Sequence, residues 1–160
     1  MKTLLILLIT IVCVSCSDNN TNTKQAASFS DKVIVYLKNS SGENILGTDK
    51  FPTSGIVAKY LINGKIVQNV SNAAISDYPN NVHIINEGGL HCTMIYLNSS
   101  ATEEYPITYI YWNATDIDTI KSQYKRSSGI DGNNILLEKA WLFKNNNWEE
   151  LTSQEITLIK

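Results

Sequence analysis

Short apolar runs, separated by turn-forming residues, set the strongest limit on how this 160-residue chain can fold. No stretch sustains the 3.6-residue period of an amphipathic helix, whereas runs rich in β-branched and aromatic residues recur between clusters of Asn, Gly, Ser and Asp. Runs of this length and composition are typical of strands. The pattern predicts an all-β fold, an antiparallel β-sandwich of about 7 to 9 strands that follows an N-terminal signal helix.

The clearest local signal is Asn63-Gly64, which lies between the apolar runs 56–62 and 65–67. A two-residue type I′ turn requires positive φ at both central positions, and Asn followed by Gly adopts this conformation at the lowest cost. The sequence therefore predicts a hairpin here. A second hairpin is predicted where Val82–Glu87 meets Leu90–Leu97 across Gly88-Gly89.

The remaining strands are predicted from the same alternation. Lys32–Lys38 is apolar at nearly every central position, so we expect a strand that is covered, or nearly covered, on both faces. Pro106–Trp112 should place Ile107, Tyr109 and Tyr111 on one face and the intervening side chains on the other. Further strands and turns are predicted at Thr119–Lys125, at the turn cluster Gly129–Asn134, at Ile135–Lys144, at the Asn145–Asn147 turn, and at Glu155–Lys160.

The first sixteen residues have the composition of an export signal. Lys2 provides a positive charge, Leu4–Val14 is an apolar segment, and the small residue Ser15 directly precedes Cys16. The end of this segment resembles the lipobox of bacterial lipoproteins, although Cys13 stands where that family usually has Leu. The resemblance implies cleavage before Cys16, acylation of its sulfur and then usually of its new amino group, and attachment to a membrane through the lipid.

One alternative is an ordinary secretory signal that is cut near Ser15 or Ser17 and releases a soluble protein. A permanent transmembrane helix is disfavoured, because it needs about 20 apolar residues and the run here is about half as long. The expected organisation is a lipoprotein signal peptide at 1–15, a lipidated polar tether at 16–30 and a single β-sandwich domain at 31–160. Cys16 is the one predicted site residue, as the lipid attachment site.

Composition narrows the classes of partner. Loss of Lys2 with the signal changes the formal net charge from −2 to −3, which gives no basic surface for nucleic acid. Cys13 would leave with the signal and Cys16 would carry lipid, so Cys92 alone remains and no disulfide framework can form. The expected partners are the membrane, through the covalent lipid, and an envelope protein or glycan.

The layout of the whole chain is similar to that of small Bacteroidetes-type lipoproteins with an immunoglobulin-like β-sandwich, many of them of unassigned function. The similarity rests on the signal and tether, the Lys32–Lys38 strand, the Asn63-Gly64 hairpin and the terminal strand. Such domains often carry a Trp-Gly-Asp-Gly turn followed by Asp-Thr-Ile. Trp112 and Asp118-Thr119-Ile120 match that spacing, but Asn113-Ala114-Thr115 replaces the glycine turn.

Potential metal ligands give no convincing site. His83, His91 and Cys92 are residue types that zinc accepts, but adjacent strand residues point to opposite faces, which separates His91 from Cys92. Cys92 is interpreted as a small buried hydrophobic residue. Asp116 with Asp118, and Asp131 with Asn133, have the spacing of calcium-loop oxygens, yet neither continues into an EF-hand loop. No metal and no cofactor is predicted.

No nucleophile motif and no phosphate-binding glycine loop occurs in the sequence. The expected function is therefore that of a non-enzymatic binding or interaction module, lipid-anchored to the outer membrane of a cell envelope, in the periplasm or on the surface. The alternative is a glycan-binding accessory lipoprotein, and a hydrolytic enzyme is the third choice. No ligand-binding residue is assigned.

The alternative depends on aromatic side chains. Two or three exposed rings on one sheet face would give a sugar-stacking surface. A sandwich of this size needs large side chains to fill the space between its sheets, so we expect most of these rings to lie in the core. The residues concerned are Tyr105, Tyr109, Tyr111, Trp112, Trp141 and Trp148.

Overall fold

The computed structural model describes residues 29–68, 78–87, 90–129 and 132–160. These residues form two β-sheets, with a single short 3-10 helix at Thr53–Gly55 and no α-helix among them. The predicted all-β sandwich class is confirmed, and the architecture is consistent with an immunoglobulin-like sandwich. The expected signal helix and Cys16 lie outside the described residues.

Eleven strands are present in the described part of the chain. The number exceeds the expected 7 to 9 because short segments of two to four residues count separately. In chain order the strands are β1 (Phe29–Ser30), β2 (Lys32–Lys38), β3 (Val57–Ile62), β4 (Lys65–Val67), β5 (Val82–Glu87), β6 (Leu90–Tyr96), β7 (Ile107–Tyr111), β8 (Ile117–Gly129), β9 (Gly132–Lys144), β10 (Asn147–Glu150) and β11 (Glu155–Ile159).

The larger sheet has seven strands in the order β1-β9-β8-β7-β3-β4, with β10 also pairing with β9. The smaller sheet has four strands in the order β11-β2-β6-β5. Most neighbours are antiparallel, but β1 pairs with β9 and β11 pairs with β2 in parallel. The predicted antiparallel sandwich is confirmed in the main, and the two parallel pairs join segments more than 100 residues apart in the chain.

Both predicted hairpins are present. β3 and β4 pair antiparallel across Asn63 and Gly64, whose φ values of 50° and 74° are the two positive angles that the turn requires. β5 and β6 also pair antiparallel, with Gly88-Gly89 outside the described residues. β9 and β10 form a third tight hairpin, in which Asn145 and Asn146 have φ values of 50° and 60°.

The predicted turn cluster at Gly129–Asn134 is wrong in extent. β8 and β9 are 13 residues long each, and their pairing continues to Gly129 opposite Gly132. Only residues 130–131 between them lie outside the described part. Turn-prone residues stay in the ladder here because pairing along a long hairpin satisfies their backbone groups, and tertiary context overrides local propensity.

The core lies between the two sheets. Val33, Val35 and Leu37 of β2 are fully buried, whereas Ile34 and Tyr36 on its other face are only partly covered. The outer face of β2 is therefore only partly covered, against the expected full or nearly full cover of both faces, since the four-stranded sheet has one face towards the core and one towards solvent. The end of β6, the opposing sheet with the residue after β7, and the loop before β3 contribute the other large, fully buried side chains. These are Phe51, Ile56, Ile95, Leu97, Ile110, Trp112 and Ile120.

The paired region also reaches beyond the expected domain start at residue 31. Phe29 and Ser30 fall within the predicted tether at 16–30, yet they form β1 and align with Ile135 and Leu136 of β9. The ordered pairing therefore begins at least two residues earlier than the predicted boundary.

Candidate functional site

Strand β7 turns its aromatic side chains away from the core. Thr108 and Ile110 are fully buried, and they alternate with Tyr109 and Tyr111, which are half-buried on the solvent side of the seven-stranded sheet. The predicted division of this strand into two faces is confirmed. The face with the tyrosines, however, is the outer one.

The same holds for most of the other large aromatic residues, so the expectation that they fill the core is wrong. Of the six aromatic residues considered from the sequence, only Trp112, with no exposed area, belongs to the core. Tyr105 is 43% exposed and Phe143 is 41% exposed, while Trp141 and Trp148 are half-buried. Aliphatic side chains, alanine, Phe51 and Trp112 fill the space between the sheets.

These rings share one surface because the strand register aligns them. Lys121 of β8 lies between Ile107 of β7 and Trp141 of β9, and Trp141 in turn pairs with Glu150 of β10. Phe143 pairs with Trp148 one step along the same hairpin. We define the aromatic face as this outer surface of the seven-stranded sheet, formed by Tyr105, Tyr109, Tyr111, Trp141, Phe143 and Trp148.

Two ring pairs show how the aromatic face is shaped. The centroids of Tyr105 and Trp141 are 6.1 Å apart with a 70° angle between their planes. Those of Phe143 and Trp148 are 5.0 Å apart at 56°. Both arrangements are favourable for aromatic contacts, which prefer tilted over face-to-face geometry. The face therefore offers several differently oriented rings and is not one flat platform.

A lysine occupies the middle of the aromatic face. The Lys121 ammonium lies 4.6 Å from the ring centroid of Trp141, 4.7 Å from that of Trp148 and 5.6 Å from that of Tyr105. Lys59 of β3 lies in a similar way, 4.5 Å from the ring centroid of Tyr111. Each ammonium is held by the negative electrostatic potential of the ring faces.

The acidic groups near this surface are few. Glu150 pairs with Lys139 at 3.4 Å, and both side chains are about half exposed. The other ion pairs in the described part of the chain involve Lys160. Lys59 and Lys121 are therefore without a carboxylate partner among the described residues.

Sequence reasoning missed Lys59, Lys121 and Phe143. Alternation along a strand shows which side chains share a face, but it does not show which face is turned to the core. The cross-strand register brings these residues together, and no motif in the sequence encodes it.

A second cluster of polar groups surrounds Trp112 at the end of the sandwich. The Trp112 indole N–H donates to Asp118 Oδ2 at 2.6 Å, and Lys160 Nζ lies 2.8 Å from that oxygen and 2.6 Å from Asp116 Oδ1. Burial alone would lower the pKa of Lys160, but its hydrogen bonds to the two carboxylates outweigh burial and the pKa lies above its ordinary value. The aspartates with calcium-like spacing thus bind a lysine.

The turn that precedes these aspartates is built by Asn113. Its side-chain oxygen accepts hydrogen bonds from the backbone N–H groups of Thr115 and Asp116, both at 2.9 Å. An asparagine can close a turn in this way without a glycine. The cluster is therefore a structural connection between the β7–β8 turn and Lys160.

The soft-ligand residues are separated as the sequence predicts. The β5–β6 register places Ile85 opposite Cys92 and Asn86 opposite His91, so His91 and Cys92 lie on opposite faces. His83 packs against Tyr78 with 4.7 Å between ring centroids. Cys92 is buried. Within the four described ranges, no three acidic, histidine or cysteine side chains are grouped so as to hold a metal ion.

Shallow cavities among the described residues include two that lie outside the aromatic face. One, of about 250 Å³, lies where β9 approaches the segment before β11 and is lined by Val33, Leu137 and Gln154 among others. The second, of about 340 Å³, lies on the outer face of the four-stranded sheet beside Tyr36 and Asn44. The aromatic face is the stronger candidate site.

Comparisons with protein-family models, with curated proteins and with solved structures found no match to this chain. In the described residues no helix has the length and apolar character needed to cross a membrane. Any functional assignment therefore rests on the chemistry of the aromatic face and on the N-terminal sequence.

Proposed function

We propose that this protein is a lipid-anchored, non-enzymatic binding module of the bacterial cell envelope that holds a glycan on its aromatic face. The observation that carries the proposal is the placement of six aromatic side chains on the solvent side of one sheet, where the core does not require them. Contact between aromatic rings and water is unfavourable, so a group of exposed rings on one surface is typical of a binding site.

The chemistry of these rings suits a sugar. One face of a pyranose carries C–H groups whose hydrogens have partial positive charge, and the face of an indole or phenol ring carries negative potential. Trp141, Trp148 and Tyr105 offer such faces in different orientations. The intervening Thr119 and Gln123, half-buried on the same side of β8, supply groups that can hydrogen-bond to hydroxyls.

A protein partner is the less favoured occupant of this surface. The centre of a protein–protein interface is depleted in lysine, because an ammonium loses its hydration there. Lys121 lies in the middle of the aromatic face, and its ammonium is within 5.6 Å of three ring centroids. A glycan brings hydroxyl groups and bound water to the surface, so the Lys121 ammonium would lose less of its hydration than in a protein interface.

The N-terminal sequence supports a lipid anchor at Cys16. A short apolar segment that ends Ser15-Cys16, followed by a polar stretch, supports lipidation at Cys16 and a tether between membrane and sandwich. Two or more acyl chains give a stable hold, since each buried methylene contributes about 0.8 kcal/mol. The proposed location is the outer membrane, with the sandwich on its periplasmic or external side.

Labelling with a palmitate analogue tests the anchor. The Cys16→Ser variant should lose the label and leave the membrane fraction, because it lacks the acylated sulfur. Cys13→Ser is the matched control and should keep both, since it removes a thiol only three residues away. Label retained by Cys16→Ser would exclude the lipobox interpretation.

Retention on a glycan array tests the ligand class. The full chain should bind a subset of glycans, and Trp141→Ala should weaken that binding about tenfold or more, since truncation of an aromatic anchor in a binding surface costs about 2 kcal/mol. Tyr36→Ala, on the outer face of the other sheet, is the control and should bind normally. Failure to bind any glycan, or equal loss in both variants, would overturn the proposal.

A further inference from the structure

We infer that the aromatic face selects glycans that carry carboxylate groups, such as oligosaccharides that contain uronic acids. The inference rests on the proposed function and adds the charge of the ligand to it. Its basis is the placement of two lysines without acidic partners among the rings.

Lys121 is the first of these lysines. Its ammonium lies over Trp141, Trp148 and Tyr105, and no carboxylate of the described residues pairs with it. Lys139, on the same sheet, differs because Glu150 already neutralises it. The aromatic neighbours orient the Lys121 ammonium but leave its net charge available to a ligand.

Lys59 is the second. It is the cross-strand partner of Tyr109, which is itself the partner of Thr119, two residues before Lys121. Two strand spacings and a two-residue step put the Cα atoms of Lys59 and Lys121 about 12 Å apart. Two cationic positions on one ring-lined surface match a linear ligand in which acidic groups recur along the chain.

The ring faces explain why the lysines matter for selectivity. A carboxylate is repelled by the negative potential above an indole or phenol ring, so an aromatic surface alone favours neutral sugars. An ammonium among the rings reverses this preference, because it attracts the carboxylate and hydrogen-bonds to it. The chain as a whole has a net charge of −2, so attraction for an acidic ligand has to come from such a local site.

The test compares two forms of one polysaccharide with the full chain. The probes are oligogalacturonate and its methyl ester, which share a sugar backbone and differ in the free carboxylate, together with a glycan array that contains neutral and acidic members. We expect the acidic form to bind at least tenfold more tightly in low salt. Raising the salt concentration should weaken that binding and leave any binding of neutral glycans unchanged.

Substitution of single lysines shows which of them is responsible for the preference for the acidic ligand. Lys121→Met keeps an unbranched side chain over the rings and removes the charge, so it should lower affinity for the acidic ligand about tenfold and remove most of the difference between the two forms. Lys59→Met should have a smaller effect in the same direction. Lys32→Met makes the same change in net charge on the other sheet, where Lys32 is exposed, and should bind as the unmodified protein does.

The outcomes separate the two proposals. Binding of neutral glycans that depends on Trp141 and ignores Lys121 would overturn the inference and leave the proposed function intact. Binding of acidic glycans that Lys32→Met weakens as much as Lys121→Met would also overturn it, as an effect of net charge alone. Absence of all glycan binding would overturn both.

Discussion

Two buried threonines in the core show how much depends on whether a hydroxyl has a partner. Thr93 and Thr108 are both without exposed area, one on each sheet. Thr108 Oγ1 accepts a hydrogen bond from the backbone N–H of Asn98 at 2.8 Å. Thr93 Oγ1 has no hydrogen-bond partner among the described residues. A buried polar group without a partner lowers stability, whereas a paired one contributes to it.

The two sites therefore respond oppositely to the same substitution. Thr93→Val keeps the shape of the side chain and removes an unpaired hydroxyl, so it should raise the free energy of unfolding by about 1 kcal/mol. Thr108→Val leaves the Asn98 N–H without its acceptor and should lower that free energy by about 1 to 3 kcal/mol. Urea denaturation of both variants measures the difference. Destabilisation by Thr93→Val would show that its hydroxyl has a partner.

Asp31 gives the structure a pH-dependent contribution. Burial raises the pKa of this half-buried carboxyl above its ordinary value, and the hydrogen bond from Ser99 offsets burial only in part. A carboxyl whose pKa is raised in the folded state stabilises the fold while it is protonated in both states. That stability is present below the ordinary pKa of about 4 and is lost as pH rises through the higher pKa of the folded state.

Asp31→Asn tests this dependence, because asparagine cannot ionise. The variant should be more stable than the unmodified protein at pH 7, and its advantage should shrink as the pH falls from the raised pKa of the folded state to about 4, below which it should be absent. Chemical denaturation at several pH values measures the two curves. An advantage that grows on acidification would contradict the direction of the shift.

At the scale of elements, asparagine and glycine residues close the tight hairpins. Asn63, Asn145 and Asn146 all have positive φ, as does Gly64. These conformations are local, which is why Asn63-Gly64 could be identified from the sequence. The length of the β8–β9 hairpin could not, since glycines and asparagines near its tip remain paired.

Two glycine substitutions measure the contribution of the turn conformation. A Cβ at Gly64 would meet no atom within 4 Å, so Gly64→Ala tests its φ of 74° alone and should cost about 1 to 2 kcal/mol. A Cβ at Gly55 would lie in ordinary contact with Pro52 at 3.8 Å, without positive φ. Gly55→Ala should therefore be neutral or slightly stabilising. If both substitutions changed the temperature of thermal unfolding equally, the assignment of a positive-φ turn at Gly64 would be contradicted.

At the scale of the whole molecule, two tryptophans of the same sheet serve different purposes. Trp112 is fully buried and donates to Asp118, which also binds Lys160 next to the final strand. Trp141 lies on the opposite side of the sheet with part of its ring in solvent. The first contributes to the packing of the two sheets, and the second is available to a ligand.

Conservative substitutions distinguish these purposes. Trp112→Phe leaves a cavity and removes the indole donor to Asp118, so the free energy of unfolding should fall by about 2 to 3 kcal/mol. Trp141→Phe keeps a ring on the surface and should change it by less than about 0.5 kcal/mol. Urea denaturation compares them. A large loss of stability in Trp141→Phe would assign the aromatic face to structure and weaken its interpretation as a binding site.

The sequence by itself determined the strands, the tight turns and the sandwich class, because alternation and positive-φ turns are properties of neighbouring residues. It predicted which side chains of β7 share a face. The tertiary structure alone decided which face is buried, since a two-residue period is symmetric between the two sides of a sheet. It also decided the parallel pairing of β11 with β2 and the assembly of Lys121 with the rings around it, because both depend on contacts between strands that lie apart in the chain.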